Sequence, residues 1–285
     1  MENSNKKLLS KAICKITKKL KKQHPVVAVA RLNGVIGKVS MSQGITLNSI
    51  KYVDKISKIN NLKAIILIIN SPGGSPVQSE LISKKITSVA KSYNKDLPII
   101  TFCEDVAASG GYWLACMGDE IYASNSSIIG SIGVISQGFG FVETIKKLGI
   151  ERRIYTQGKN KSVLDPFSEI KKSDLEIISH IQKDVHQSFI DYVRSQRKTK
   201  LQAKDDEIFN GKFWSGKQAK QLGLIDGIGY YEDIIKDKFG PKTIFKEVSS
   251  PKGFLQKKLS TLVNLFSNEI SVKIDEAIIS SKFKL

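Results

Sequence analysis

Histidine is scarce in this chain of 285 residues. Its copies are His24, in a basic tail, and His180 and His186, in a long polar stretch of helical period. Chemistry that needs an imidazole at the reacting centre therefore has few places to stand. Cysteine is as rare. Cys14, Cys103 and Cys116 lie far apart with no metal-type spacing, so neither a metal site nor a disulfide framework is expected, and a reducing compartment fits. Cys103 and Cys116 sit in apolar runs and read as small core residues rather than nucleophilic thiolates. Arginine occurs only at Arg31, Arg152, Arg153, Arg194 and Arg197. The planar fork suited to phosphates and guanine edges is thus thinly spread despite a net charge of +18. The excess is dispersed lysine, which reads as a solvated surface, and no nucleic-acid partner is expected. No apolar run approaches the roughly 18 residues that span a bilayer. The first residues lack the apolar core and small-residue cleavage site of a secretory signal. Neither Gly211-Lys212 nor Gly216-Lys217 has the spacing of a phosphate-binding loop, so no nucleotide cofactor is expected.

What remains is a globular composition, 41% hydrophobic and 25% charged, with length for one α/β domain and peripheral helices. Three parts are read. Residues 1–24 carry eight lysines against one glutamate, with Leu9, Ile13, Ile16 and Leu20 at helical spacing. That pattern makes a basic amphipathic segment suited either to an anionic membrane surface or to docking on a protein face. Residues 25–245 form the main domain. Residues 246–285 form an amphipathic helical extension whose stripe of Leu255, Leu259, Leu262, Phe266, Ile270, Ile274 and Ile278 suits a docking or oligomer face.

Within the main domain, β-branched runs alternate with helical patterns. Strands are predicted at Val26–Arg31, Ala64–Asn70, Pro98–Cys103, Glu120–Ala123 and Arg153–Thr156. Helices are predicted at Pro76–Ser92, Gly110–Met117, Phe141–Leu148, Ser173–Arg197 and Gly216–Leu222, with a turn at Asp226–Gly229 and a further helix near Tyr231–Lys236. Such alternation predicts a largely parallel sheet with right-handed crossovers.

The most informative short run is A-A-S-G-G-Y, Ala107 to Tyr112. It presents Ser109 on a sharp turn with nothing bulky beside it. Serine is a weak nucleophile and needs a base. Gly110 opens a helix, so its N–H and the helix dipole face any oxyanion formed at Ser109. The strand ending in N-S-P-G-G, Asn70 to Gly74, leaves backbone N–H groups uncovered, which makes Gly74 the second candidate donor. A lysine serves as base only if burial away from carboxylates lowers its pKa from about 10.4 to about 7–8. A hydroxyl aims such an amine without adding charge, and Ser131 in G-S-I-G-V and Ser162 are both available. With 45 Lys plus Arg residues, spacing alone selects no particular lysine.

Five pieces in order resemble the signal peptide peptidase A family of Ser–Lys serine peptidases, within the wider Clp protease/crotonase fold. They are N-S-P-G-G at 70–74, A-A-S-G-G-Y at 107–112, G-S-I-G-V at 130–134, G-K-N-K-S-V-L-D-P-F at 158–167 and F-W-S-G-K-Q-A-K-Q-L-G-L-I-D-G-I-G at 213–229. The resemblance implies an α/β fold of repeated β-β-α units with peripheral helices. It implies Ser109 as nucleophile and Lys161 as general base, with Lys159 a decoy outside the Gly-x-x-Lys spacing that starts at Gly158. It further implies Gly74 and Gly110 as oxyanion donors and Ser131 as the hydroxyl that orients the lysine. Also implied are a homo-oligomeric ring or bowl in which Ser and Lys come from one chain or two, and peptide or unfolded-protein substrates cut in apolar segments such as signal-peptide remnants. No metal or other cofactor is implied. The expected location is the bacterial cytoplasm, peripheral to the inner membrane. Other readings are a Ser–His–Asp peptidase using His180 or His186, a crotonase-like acyl-CoA enzyme, and a catalytically silent membrane-associated scaffold.

Overall fold

The computed structural model describes residues 24–37 and 44–249. Most of the basic 1–24 segment and the apolar stripe running from Leu255 to Ile278 lie outside them. The sheet is built from β1 (Val26–Asn33), β2 (Leu62–Ser71), β3 (Ile99–Ala108), β4 (Glu120–Ala123), β5 (Ile128–Gly130), β6 (Phe213–Ser215), β7 (Gly227–Ile228) and β8 (Ile244–Glu247). The helices are α1 (Pro76–Tyr93), α2 (Gly110–Ala115), α3 (Val142–Lys147), α4 (Lys172–Arg197), α5 (Asp205–Ile208), α6 (Gly216–Gln221) and α7 (Tyr231–Phe239).

The strands run in the order β6-β5-β3-β2-β1-β8, with β4 pairing on β3 and β7 on β4. Every pairing is parallel except β5 with β6. Central strands of a parallel sheet are covered on both faces, and the near-continuous apolar runs of β2 and β3 reflect this. Alternate residues serve the two faces. Ala28, Ile65, Leu67 and Ile69 join Ile82, Ile86 and Tyr112 of α1 and α2. Val29, Ile66, Ile68 and Phe102 meet Ile235 of α7. Each fully buried isoleucine contributes about 1.5–3 kcal/mol relative to exposure.

The parallel α/β architecture expected from the alternation is present. β3 extends past Cys103 to Ala108, which carries the chain to the edge of Ser109. The turn read at Asp226–Gly229 contains β7, a two-residue parallel pair with β4. No strand forms at Arg153–Thr156, because that segment has no neighbour within the described residues to share its backbone hydrogen bonds. The first compact unit runs to Val248, and β8 pairs with β1 through Glu247. Among the described residues no helix is long and apolar enough to cross a membrane.

Candidate active site

β2 and β3 run parallel, so their C-terminal ends and the turns that follow lie side by side. Those turns are Pro72-Gly73-Gly74 and Ser109-Gly110, which brings the two glycine-bearing motifs together. Ser109 has φ 52° and ψ −123° at the start of α2, a conformation L-residues seldom adopt. Backbone strain of this kind costs on the order of 1–3 kcal/mol and survives only where its surroundings impose it. Here they do. The Ser109 N–H donates to Gly130 O at 2.7 Å, and its carbonyl accepts from Trp113 N at 3.0 Å. The Tyr112 hydroxyl donates to Leu224 O at 2.7 Å and pins α2 from below. Gly73 closes the turn from the side, where an added Cβ would lie 2.8 Å from that of Ser109.

Gly74 is held by a parallel bridge to Ile36, with Ile36 N on Gly73 O and Ser75 N on Ile36 O, both at 2.8 Å. In a parallel bridge these bonds use the flanking groups, so the N–H of Gly74 itself points away from Ile36. Gly74 N lies beside the Ser109-Gly110 turn, 3.4 Å from where a Cβ built on Gly110 would stand. Gly73 N, by contrast, is taken up by the hydroxyl of Ser71 at 3.2 Å. Gly74 is therefore the free donor of the pair. Gly110 is the first residue of α2, where a helix N–H has no intrahelical partner.

Ser131 follows Gly130, whose carbonyl receives the Ser109 N–H, so the two serines flank one hydrogen bond. Ser131 also has positive φ, 52°, and its N–H donates to Lys212 O at 2.7 Å. Of the residues singled out from sequence, Ser109, Gly110, Gly74 and Ser131 are thus gathered at one corner. Lys161 is not joined to them: it is exposed, and no hydrogen bond links it to Ser109 or Ser131.

Lys161 rides on a segment between Ser131 and α4 whose residues are mostly exposed. Its N–H donates to Gly158 O at 3.1 Å, a four-residue turn with Gly158 at φ 100°. That turn is the physical basis of the Gly-x-x-Lys spacing, and Lys159 occupies its second position. The D-P-F residues brace it. Asp165 receives Arg152 at 3.3 Å and the N–H of Phe167 at 3.3 Å, and Phe141 N donates to Pro166 O at 2.6 Å. Desolvation would raise the Asp165 carboxyl, but the bonds from Phe167 N–H, Arg152 and Ser168 outweigh it and hold it below its ordinary value. Phe139 and Tyr155 on this segment are 81% and 91% exposed, unusual for aromatic side chains.

The other candidates fall elsewhere. His180 is exposed, as a solvated helix position would be. His186 is not solvated; it is half-buried, with Nε2 3.2 Å from Ile132 O, and no hydrogen bond joins it to Ser109. Cys103 and Cys116 are buried, and desolvation pushes the Cys116 thiol up to about 12. Among the described residues no group of three His, Cys, Asp or Glu side chains could hold a metal ion. Sequence reasoning passed over Ser71 and Gly73, although both lie inside the N-S-P-G-G run. Their roles depend on which backbone groups the turn leaves free.

Residues 91–239, more than half of the chain, match the family model for peptidase family S49. The chain belongs to peptidase family S49. Among the S49 chain's relatives is a Brucella abortus protein named Na(+)/H(+) antiporter NhaA, 43% identical over 236 residues. That match covers 82% of this chain and 32% of the relative. The chloroplastic serine protease SPPA of Arabidopsis thaliana is 30% identical over 71% of this chain and 30% of its own length. Protease 4 of Salmonella typhi is 33% identical over 61% of this chain and 27% of its own length. The chain thus spans about a third of the length of these relatives or somewhat less. Among solved structures, a mutant of the 1510-N membrane-bound stomatin-specific protease with a substrate peptide superposes with TM-score 0.50 at 17% identity. It covers 85% of this chain and 99% of that one, and bears out the Clp protease/crotonase-like α/β fold.

Proposed function

We propose that this S49 chain is a serine endopeptidase that cuts peptide bonds in apolar segments with a Ser109–Lys161 dyad. The observation that carries the reading is the strained Ser109 turn beside the uncommitted N–H of Gly74. Its geometry suits acyl transfer. The neutral Lys161 amine takes the Ser109 Oγ proton as the oxygen attacks the scissile carbonyl. The carbonyl oxygen becomes an anion facing the N–H groups of Gly74 and Gly110, in a site whose dipoles need no reorganisation. The tetrahedral intermediate collapses, the C–N bond breaks, and the Lys161 ammonium returns its proton to the leaving amine. Water then hydrolyses the acyl-enzyme by the same steps in the same order. Ser131 accepts a hydrogen bond from the lysine and aims it.

In this reading the lysine reaches Ser109 from a neighbouring copy within a homo-oligomer. Two features support that: Lys161 is exposed in the single chain, and large aromatic side chains around it are uncovered. A second copy would bury the amine, as a lysine base requires, and cover Phe139 and Tyr155. Family membership favours hydrolysis of peptides over the acyl-CoA and scaffold readings. Signal-peptide remnants and fragments of membrane or misfolded proteins are the proposed substrates. The proposed setting is the bacterial cytoplasm, with the basic 1–24 segment making peripheral contact with the inner membrane.

The test is hydrolysis of casein and of a signal peptide by the intact chain after size separation. Ser109→Ala and Lys161→Ala should each lower turnover by three or more orders of magnitude, on the scale seen for loss of a catalytic serine or its base. Lys159→Ala should leave it unchanged. Full activity of either dyad variant would sink the assignment.

A further inference from the structure

His186 has no part in the chemistry above, yet its side chain hydrogen-bonds from α4 to the loop that follows β5. Its Nε2 lies 3.2 Å from the carbonyl oxygen of Ile132, the residue after Ser131. A carbonyl only accepts, so Nε2 carries the hydrogen. The same oxygen accepts the N–H of Gly211 at 3.1 Å. One residue earlier, Ser131 N donates to Lys212 O at 2.7 Å, and two residues earlier Gly130 O holds the Ser109 N–H at 2.7 Å. Ile132 is itself fully buried. The Ser131 loop is therefore tied to β3 on one side, to the 211–212 backbone on the other, and to α4 through His186.

The position of His186 along α4 gives that tie a second consequence. From Phe189 to Arg197 the helix is seated on the body. Phe189 and Tyr192 pack on Trp113, and the Arg197 guanidinium bonds Gly223 O and Asp226. N-terminal to His186 the helix exposes Leu175 and Ile181, each 54% exposed, and leads back to the segment that carries Lys161. The carboxyl of Asp174, near its start, accepts from Leu164 N at 3.4 Å, close to the lysine turn. His186 thus stands where the lysine-bearing arm leaves the body, and its contact there is with the Ser131 loop.

We infer that His186 is a positioning residue for the dyad. Through the Ile132 carbonyl it steadies two things at once: the Ser131 loop that receives the neighbouring copy's lysine, and the root of the arm that carries this chain's own Lys161 to the next copy. Removing the bond frees a strained residue, Ser131 at φ 52°, to relax. It also loosens the arm at its root. Small misplacements at a reacting centre are costly, up to about a hundredfold for 1 Å. Substrate contacts are untouched, so the loss should fall on turnover rather than on binding.

This inference rests on the Ser–Lys reading, and the experiment separates the two. Peptide hydrolysis and labelling of Ser109 by a fluorophosphonate are measured in the full chain for wild type, His186→Leu, His186→Gln and His186→Asn. Glutamine places an amide N–H where imidazole Nε2 stands, whereas asparagine is too short to reach it. The expected result is a drop in kcat and in labelling rate of roughly ten- to a hundredfold for the Leu and Asn variants. KM should stay within about twofold, and the Gln variant should recover most of the loss. A purely structural role would lower the melting temperature of the Leu and Asn variants but leave kcat and labelling rate per folded chain at the wild-type level. Unchanged kcat and labelling in His186→Leu, with Ser109→Ala and Lys161→Ala inactive, would overturn this role and leave the dyad standing. Wild-type activity that survives Ser109→Ala would overturn the dyad and this role with it.

Discussion

The backbone N–H of Ser109 donates to the carbonyl of Gly130 at 2.7 Å, so the Ser109 turn and the Ser131 loop are coupled through the main chain. The bond is the last of the β3–β5 ladder and closes the parallel pair of Ala108 with Gly130. It fixes where Ser109 turns, and both Ser109 and Ser131, on either side of that bond, hold a positive φ of 52°.

Gly73 should tolerate no side chain. A Cβ there would sit 2.8 Å from that of Ser109 and 2.9 Å from Gly110 N, and φ at Gly73 is 103°. Gly73→Ala should cut kcat/KM by about a hundredfold or more, while the central sheet, which the turn only terminates, keeps the chain folded. Circular dichroism and peptide hydrolysis, read together, check this. Near-normal turnover would mean that the turn is not pressed against the nucleophile.

Mixing two inactive chains should restore activity. If the dyad forms between copies, Ser109→Ala chains still supply Lys161 and Lys161→Ala chains still supply Ser109. Random co-assembly of equal amounts should return about a quarter of wild-type activity. No recovery from a confirmed mixed oligomer would place both residues of each dyad in one chain.

Acid should destabilise the domain through Asp226. Desolvation would raise this carboxyl, but hydrogen bonds from Arg197, Lys200 and the Ile121 N–H prevail and hold it below its ordinary value. A carboxyl depressed in the folded state stabilises above its unfolded pKa of about 3.9, and that contribution is lost as pH falls through the lower folded value. Arg197 is 1% exposed, so removing its partner leaves a buried charge uncompensated. Asp226→Asn should cost about 3 kcal/mol at pH 7, roughly 10 °C in melting temperature. The acid limb of the stability curve below about pH 4 should flatten. Melting temperatures of the two proteins from pH 2 to pH 7 test both statements.

Thiol reagents should spare the folded chain. Burial pushes the Cys116 thiol up to about 12 and raises that of Cys103 as well. Neither offers thiolate near neutrality. Peptide mapping after iodoacetamide at pH 8 should find both unmodified in the folded chain and modified after denaturation, with peptide hydrolysis undiminished.

Much of this organisation was legible in one dimension. The apolar runs of β2 and β3, Pro76 at the first turn of α1 and the glycines of 73–74 and 110–111 are local preferences that the fold honours. The G-x-x-K spacing is likewise local, since it is the i to i+3 bond of a turn. The predicted strand at Arg153–Thr156 shows the limit of such reasoning: β-propensity makes no strand where no partner edge is available.

Sequence by itself determined most of the element types and the small-residue turn at Ser109, because these follow from side-chain volume, backbone freedom and period. Only the tertiary structure decided which N–H in the Gly-Gly turn is free. Ser71 takes up that of Gly73, and the bridge to Ile36 leaves that of Gly74 uncommitted beside the Ser109-Gly110 turn. It also placed His186, read only as part of a long polar helical stretch, against the Ile132 carbonyl. Hydrogen-bond partners are assigned by proximity across the fold, between residues as distant in sequence as Ile132 and His186, and no local pattern encodes them.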